Sequence, residues 1–185
     1  MSQKKIIIFM PTIDGGGVEK NFFLITNYLS TKFRDISVIS LSKSYRKKLN
    51  PKIKFITLKT ELPSTAGRRT KFIISLLLLF KKILFCRNSI VFCFQGLAYC
   101  TILCKFLSTK IIIRSNSSPS GWSKKYIKKI LYKKIYSMAN KIIVNSEDFK
   151  KELKSKFNLN SECIYNPLNK KEIIKNSKKR LNISF

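Results

Sequence analysis

The chain has 185 residues, 44% of them hydrophobic, with 38 basic against 9 acidic side chains, no histidine and a formal net charge of +29. That length and apolar content suit one domain with a real core, leaving residues for a tail or part of a second unit. Histidine-ligated metal sites are excluded, and so strong a positive field favours anionic partners: nucleic acid, an anionic membrane surface or a phosphorylated substrate.

The first predicted strand, Lys5–Phe9, is short, β-branched and continuous, as a fully buried strand requires. The short apolar stretch between Lys5 and Pro11 does not fit a secretory signal. Then comes "MPTIDGGGVE", which places Gly15, Gly16 and Gly17 side by side in a chain with only six glycines. Val18, Phe22, Ile25 and Leu29 beyond it form one stripe of a helix over Val18–Thr31. The triplet is therefore a strand-to-helix turn, where glycine is expected to supply φ > 0 and to leave the helix N-terminus bare. Two uses stand open: a tight turn without a ligand, or amides at the positive end of the helix dipole that receive a phosphate. Neither common phosphate fingerprint is met, since Gly17 is followed by Val18, Glu19 and Lys20, and Asp35 precedes the second strand instead of following it.

Strands follow over Ile36–Leu41 and Ile53–Leu58, and a helix over Arg68–Phe85. Its apolar run Phe72–Phe80 is about half the roughly 20 residues a bilayer span needs. The fourth strand, Ser89–Phe94, delivers Gln95 and Gly96 at its carboxyl end, ahead of a helix over Leu97–Leu107. The fifth, Lys110–Arg114, runs into the polar loop "RSNSSPSGW" with Arg114, Asn116, Ser117 and the lone Trp122. A guanidinium at that edge suits a phosphate or sugar ligand, or else pairs with a carboxylate. The predicted helix Lys124–Met138 is amphipathic, with Ile127, Ile130, Leu131, Ile135 and Met138 opposite Lys125, Lys128, Lys129 and Lys133, either as a solvated domain face or as a membrane-surface face. The strand Lys141–Asn145 leads to Ser146, a predicted N-cap for the helix Glu147–Phe157, with Glu147 and Asp148 complementing its dipole. A strand over Glu162–Tyr165 and a helix over Lys170–Leu181 complete the pattern.

Strands alternating with helices imply right-handed crossovers and a doubly wound α/β fold, a mostly parallel sheet with helices on both faces. Ligands in such sheets bind beyond the carboxyl ends of the strands. Cys86, Cys93, Cys100, Cys104 and Cys163 are odd in number and lie mostly in apolar segments, which points to a reduced, cytoplasmic chain. Cys93, Cys100 and Cys104 raise a thiolate metal site, but without a tight Cys-x-x-Cys pair or histidine the plainer reading is buried free thiols and no metal. No nucleic-acid module is present, and most phenylalanines sit in apolar elements, so no specific nucleic acid is expected.

The ordered set "GGGVEKNFFLITNYLS", "KIIIRSNSS" and "SMANKIIVNSEDFKKELKSKFNLNSECIYNPLN" resembles the N-terminal half of retaining glycosyltransferases of family 4, which have the two-domain GT-B fold. The resemblance runs from Lys5 to about Leu168. It implies an N-terminal Rossmann-like domain over residues 1–168, with 169–185 as a linker or helix leading toward a C-terminal donor-binding domain supplied in cis or in trans, without which the chain is incomplete and inactive. Gly15, Gly16 and Gly17, with Glu19, match the glycine loop that faces the donor phosphates and the acceptor. Gln95, Arg114, Asn116 and Ser117 fall on the acceptor side, and Asn166 and Pro167 match the dipeptide leading out of the domain. The implied partners are a nucleotide sugar and a glycan or lipid-linked acceptor, in cell-surface polysaccharide or glycolipid synthesis, at the inner face of an anionic membrane, with no cofactor and no metal. Many members place a histidine near the reacting centre; this chain has none, so the catalytic residue is unassigned. The rival reading is a non-catalytic basic module that binds an anionic membrane or polymer.

Overall fold

The computed structural model describes residues 4–13, 16–60, 62–63, 66–86, 88–116 and 126–168, together with Ile174 and Ser177. Among the described residues seven strands form one sheet: β1 (Lys5–Phe9), β2 (Ile36–Ile39), β3 (Lys54–Ile56), β4 (Ser89–Cys93), β5 (Lys110–Ser115), β6 (Lys141–Val144) and β7 (Glu162–Cys163). Their order is β3-β2-β1-β4-β5-β6-β7, and every pairing is parallel. β1 and β2 are apolar along most of their length because both faces are covered, the condition under which strands lose polar alternation.

Among the described residues the helices that pack on the sheet are α1 (Gly17–Lys32), α2 (Arg68–Phe85), α3 (Leu97–Phe106), α4 (Tyr126–Ser137) and α5 (Glu147–Phe157). Two cores result, one on each side of the sheet. Ile7, Phe9, Val91 and Ile113 pack against Leu79 of α2, Cys100 and Cys104 of α3, Tyr136 of α4 and Leu153 of α5. On the opposite side Ile6, Ile8, Val38 and Phe92 pack against Phe22 of α1, with Leu49 and Ile53 closing the edge.

The expected strand and helix order holds, with trimmed ends: β2, β3 and β7 are shorter than predicted, and a 3-10 helix at Lys43–Lys48 was not foreseen. The Arg46 guanidinium holds that turn by donating to the carbonyls of Leu49, Asn50, Pro51 and Ile53. The predicted helix over Lys170–Leu181 lies almost wholly outside the described residues. Ser146 caps α5 as expected, its hydroxyl accepting from the Phe149 amide at 3.3 Å. Of the apolar stripe on α4, Ile135 is buried, whereas Ile127, Ile130 and Leu131 are exposed.

Candidate functional site

From β1 the chain builds outward to β2 and β3, then returns through α2 to lay β4 on the other flank of β1. The connections leaving β1 and β4 therefore diverge at the carboxyl edge and open a crevice, the place where ligands bind in sheets of this kind. The segment leaving β1 is held down on both sides. Met10 donates its amide to the Ile39 carbonyl at 3.1 Å, and Ile13 donates to the Ser42 hydroxyl at 2.9 Å. Toward β4, the Thr12 amide and hydroxyl both donate to Gln95 Oε1 at 3.4 Å. Gln95 thus bridges the two strands that flank the crevice.

The crevice has a volume of about 590 Å³, with Val18 and Glu19 of α1, Gln95 and Gly96 after β4, and Arg114 and Asn116 after β5 on its walls. Tyr132 and Tyr136 of α4 line its far side. Burial pushes the Tyr136 phenol above its ordinary range, against a hydrogen bond with Ser115. Five predicted residues, Glu19, Gln95, Gly96, Arg114 and Asn116, thereby meet at one place. Gly15 and Ser117 lie outside the described residues, as does Trp122.

The glycine loop differs from expectation. Gly16 has φ −91° and ψ −169°, an extended conformation open to any residue, and neither Gly16 nor Gly17 has positive φ. Nor is the start of α1 bare. Glu19 in the first turn is 8% exposed, and its Oε2 stands 2.8 Å from where a Cβ on Gly16 would sit. A carboxylate is the charge the positive end of a helix prefers, so α1 supplies its own anion there. The one described glycine that needs positive φ is Gly96, at φ 68°, where it caps α3. A Cβ there would stand 2.1 Å from Cε2 of Phe72. Only an absent side chain lets the crevice wall and α2 come this close, a signal the sequence carried merely as a glycine after a strand.

Arg114 is 1% exposed, and the carboxylate partner expected as one alternative is not found for it among the described residues. Its Nη2 donates instead to the Ile164 carbonyl at 2.9 Å and to Asn166 Oδ1 at 3.0 Å. Its Nε is buried without a partner among the described residues. Desolvation lowers the pKa of the guanidinium, against a raising influence from Cys163. Arg114 is thus a wall of the crevice and the tie that fastens the segment after β7. Asn166 joins this tie through its side chain, while the neighbouring Pro167 is exposed. Asn116 folds back, its Nδ2 donating to the Arg114 carbonyl at 3.5 Å.

A second hollow, apolar and about 630 Å³ in volume, lies between α2 and α3. Phe72, Ile73 and Leu76 form its sides, and it shares Arg68, Gln95, Gly96 and Tyr99 with the crevice. Among the described residues, no group of three or more Cys, Asp or Glu is placed to hold a metal ion, and no helix is long and apolar enough to cross a membrane.

No family model matches the sequence, and no curated protein matches it. Solved structures do match. The chain is similar to Phytolacca americana UGT2 complexed with UDP-2fluoro-glucose and pterostilbene, with TM-score 0.54 and 12% identity over 82% of this chain and 50% of that one. It is similar to a UGT transferase from Siraitia grosvenorii in complex with UDP, with TM-score 0.51 and 12% identity over 85% of this chain and 50% of that one. Glycyrrhiza uralensis UGT73P12 complexed with glycyrrhetinic acid 3-O-monoglucuronide gives TM-score 0.56 and 8% identity over 87% and 48%. The fold is the Rossmann-like α/β architecture of a GT-B glycosyltransferase domain, and the chain spans about half the length of these structures.

Proposed function

We propose that this chain is the acceptor-side half of a glycosyltransferase that moves a sugar from a nucleotide-sugar donor to a hydroxyl of a glycan or lipid-linked acceptor. The observation that carries the reading is the crevice between β1 and β4, where Glu19, Gln95, Arg114 and Asn116 converge in a fold of the GT-B kind. Retention at the anomeric carbon follows from the sequence resemblance to family 4, with the leaving phosphate helping to deprotonate the acceptor hydroxyl. Amides of the loop Gly15–Gly17 would stabilise negative charge developing on the donor side only when the Glu19 carboxylate turns away from the start of α1 toward the acceptor. Glu19 is the one carboxylate on the described crevice wall, and it suits a hydrogen bond from the acceptor hydroxyl. The apolar hollow between α2 and α3 suits the hydrophobic part of a lipid-linked acceptor.

In this reading the donor-gripping groups come from a second α/β domain, in cis or in trans, reached through Asn166 and Pro167. The product enters cell-surface polysaccharide or glycolipid synthesis at the cytoplasmic face of an anionic membrane, and no metal is required. The fold neighbours crystallised with UDP or a UDP sugar, which supports a nucleotide-sugar donor. The alternative, a non-catalytic basic module for an anionic membrane or polymer, draws on the net charge of +29 and the lysine-rich face of α4. The test is to assay the chain with labelled UDP and GDP sugars and lipid-linked acceptors, alone and joined to a matching donor-binding domain. Background turnover alone and transfer after joining are expected; no transfer in either form, with the joined protein folded, refutes the enzyme reading.

A further inference from the structure

A hollow of about 650 Å³ opens at the edge of the sheet opposite the crevice, where the turns after α2 and α3 feed β4 and β5. All strands run parallel, so this is the edge at which they begin. Ser89 and Cys93, the two ends of β4, stand about 13 Å apart at roughly 3.3 Å per residue, and a ligand here is separate from one in the crevice. Ile83, Leu84 and Leu107 form apolar walls, and Lys4, Ser89 and Lys110 supply polar groups.

Ser89 marks this hollow as a site. It is 4% exposed, and its Oγ is buried without a hydrogen-bond partner among the described residues. Strand alternation sets its direction: Val91 and Cys93, two and four positions on, pack in the core under α2 and α3, so Ser89 points to the same side, between the ends of those helices. A buried hydroxyl left without a partner costs about 1–3 kcal/mol, which an alanine would avoid. A ligand in the hollow that accepts its hydrogen bond accounts for the residue.

The charges around Ser89 select the ligand. β4 lies between β1 and β5, with Lys5 opposite Ser89 and Lys110 opposite Ile90. Lys4 and Lys110 therefore reach the hollow from the two flanking strands, about 10 Å apart at the backbone by two strand spacings. Both lysines are exposed, and no acidic side chain is among the described walls. α2 and α3 end here and bring partial negative charge, about half a unit each. Two ammonium groups outweigh it, and carbonyls at those helix ends are already engaged: Ile83 accepts from the Cys86 amide, Cys104 from Thr109 and Lys105 from Ser108. The balance favours an anion over a cation, and the apolar walls suit a ring or short alkyl group attached to it.

We propose that this hollow binds a small phosphate-bearing molecule, with the phosphate between Lys4 and Lys110, the Ser89 hydroxyl donating to it, and the apolar part on Ile83, Leu84 and Leu107. The site stands whether or not the crevice transfers sugar, since its binding is measured without turnover.

The experiment titrates the isotope-labelled full chain with phenyl phosphate, which joins an anion to a flat apolar group, and with inorganic phosphate and phenol as its two halves, following backbone amide resonances. Phenyl phosphate should shift Ser89, Ile90, Thr109 and Lys110 saturably and bind more tightly than either half. Ser89→Ala should weaken binding about tenfold, yet leave the melting temperature of the free protein unchanged or raised, because the unpartnered hydroxyl is gone. Lys110→Gln should weaken binding too, whereas Lys128→Gln, which removes the same charge from α4 outside the hollow, should not. The absence of saturable shifts at those amides overturns the proposal. So does undiminished binding by Ser89→Ala, and so do equal losses in Lys110→Gln and Lys128→Gln, which would reduce the binding to the general positive field of the chain.

Discussion

Arg114 and Asn166 are joined by a hydrogen bond of 3.0 Å, from the guanidinium Nη2 at the end of β5 to the side-chain carbonyl of a residue beyond β7. With the second bond to the Ile164 carbonyl at 2.9 Å, one buried cation fastens the segment that leaves the sheet. A buried charge is costly unless its donors are used, and here Nη2 is used on a backbone carbonyl and a side-chain amide while Nε has no partner among the described residues. Arg114→Ala should lower stability by about 2–4 kcal/mol, through two lost charge-assisted bonds and the emptied space. Arg114→Lys should recover little, since an ammonium cannot reproduce the planar fork. Hydrogen exchange should accelerate at Ile164–Asn166 in both variants. Unchanged exchange there would show that the tie does not hold the segment.

Gly96 and Gly16 should respond oppositely to alanine. At Gly96 the φ of 68° and the overlap with Phe72 both oppose a Cβ, so Gly96→Ala should cost about 2–4 kcal/mol in denaturant titration. At Gly16 the backbone is already extended and the only close atom is the tip of the Glu19 side chain, so Gly16→Ala should stay within about 1 kcal/mol of the parent. Equal losses at the two positions would contradict this assignment of backbone strain.

The cysteines give a chemical readout of the core. Cys93, Cys100 and Cys104 are buried together behind α3, and burial pushes the Cys100 thiol well above its ordinary value, with further raising from Cys104 and Cys93. A raised pKa leaves less thiolate at any given pH, and thiolate is the reactive form. Titration of the native chain with a chromogenic disulfide near pH 8 should therefore find Cys86 and Cys163 reacting first and Cys93, Cys100 and Cys104 only after denaturation. Rapid reaction of all five in the native state would show that the layer under α3 is open to solvent.

The sheet was legible because its signal is local. "KIIIF", "SIVFC" and "KIIIRS" are apolar runs too short for helices, and the helices between them carry periodic stripes, so parallel crossovers were the economical reading. Gln95, Gly96, Arg114 and Asn116 could be named for the same reason, since each stands at or just beyond a strand end and a parallel sheet brings strand ends to one edge, whereas Arg68 of α2 and Tyr132 and Tyr136 of α4 on the same wall were not foreseen. What resisted reading depends on distant partners. Whether Gly16 or Gly96 needed positive φ turns on where Phe72 and Glu19 lie, and a run of glycines pulled attention to the wrong one. The bond of Arg114 to Asn166 spans fifty-two positions and leaves no periodic trace. The sequence did not separate the outer apolar stripes of α2 and α3, with the exposed Leu77 and Phe106, from their sheet-facing ones, because an apolar residue does not announce which side of the helix faces protein.

The central claim is that the crevice between β1 and β4 is where sugar transfer occurs, and one comparison tests it most directly. The chain joined to a matching donor-binding domain is assayed for kcat/KM toward its acceptor, alongside Glu19→Gln and the core variant Ile83→Val. Ile83 lies under α2 in the sheet-facing core and is absent from the crevice wall, so its loss reports stability alone. The account predicts a fall of a hundredfold or more for Glu19→Gln, about 2.7 kcal/mol of transition-state stabilisation, and near-parental turnover for Ile83→Val. Equal turnover in the two variants would remove the crevice from the chemistry and contradict the account.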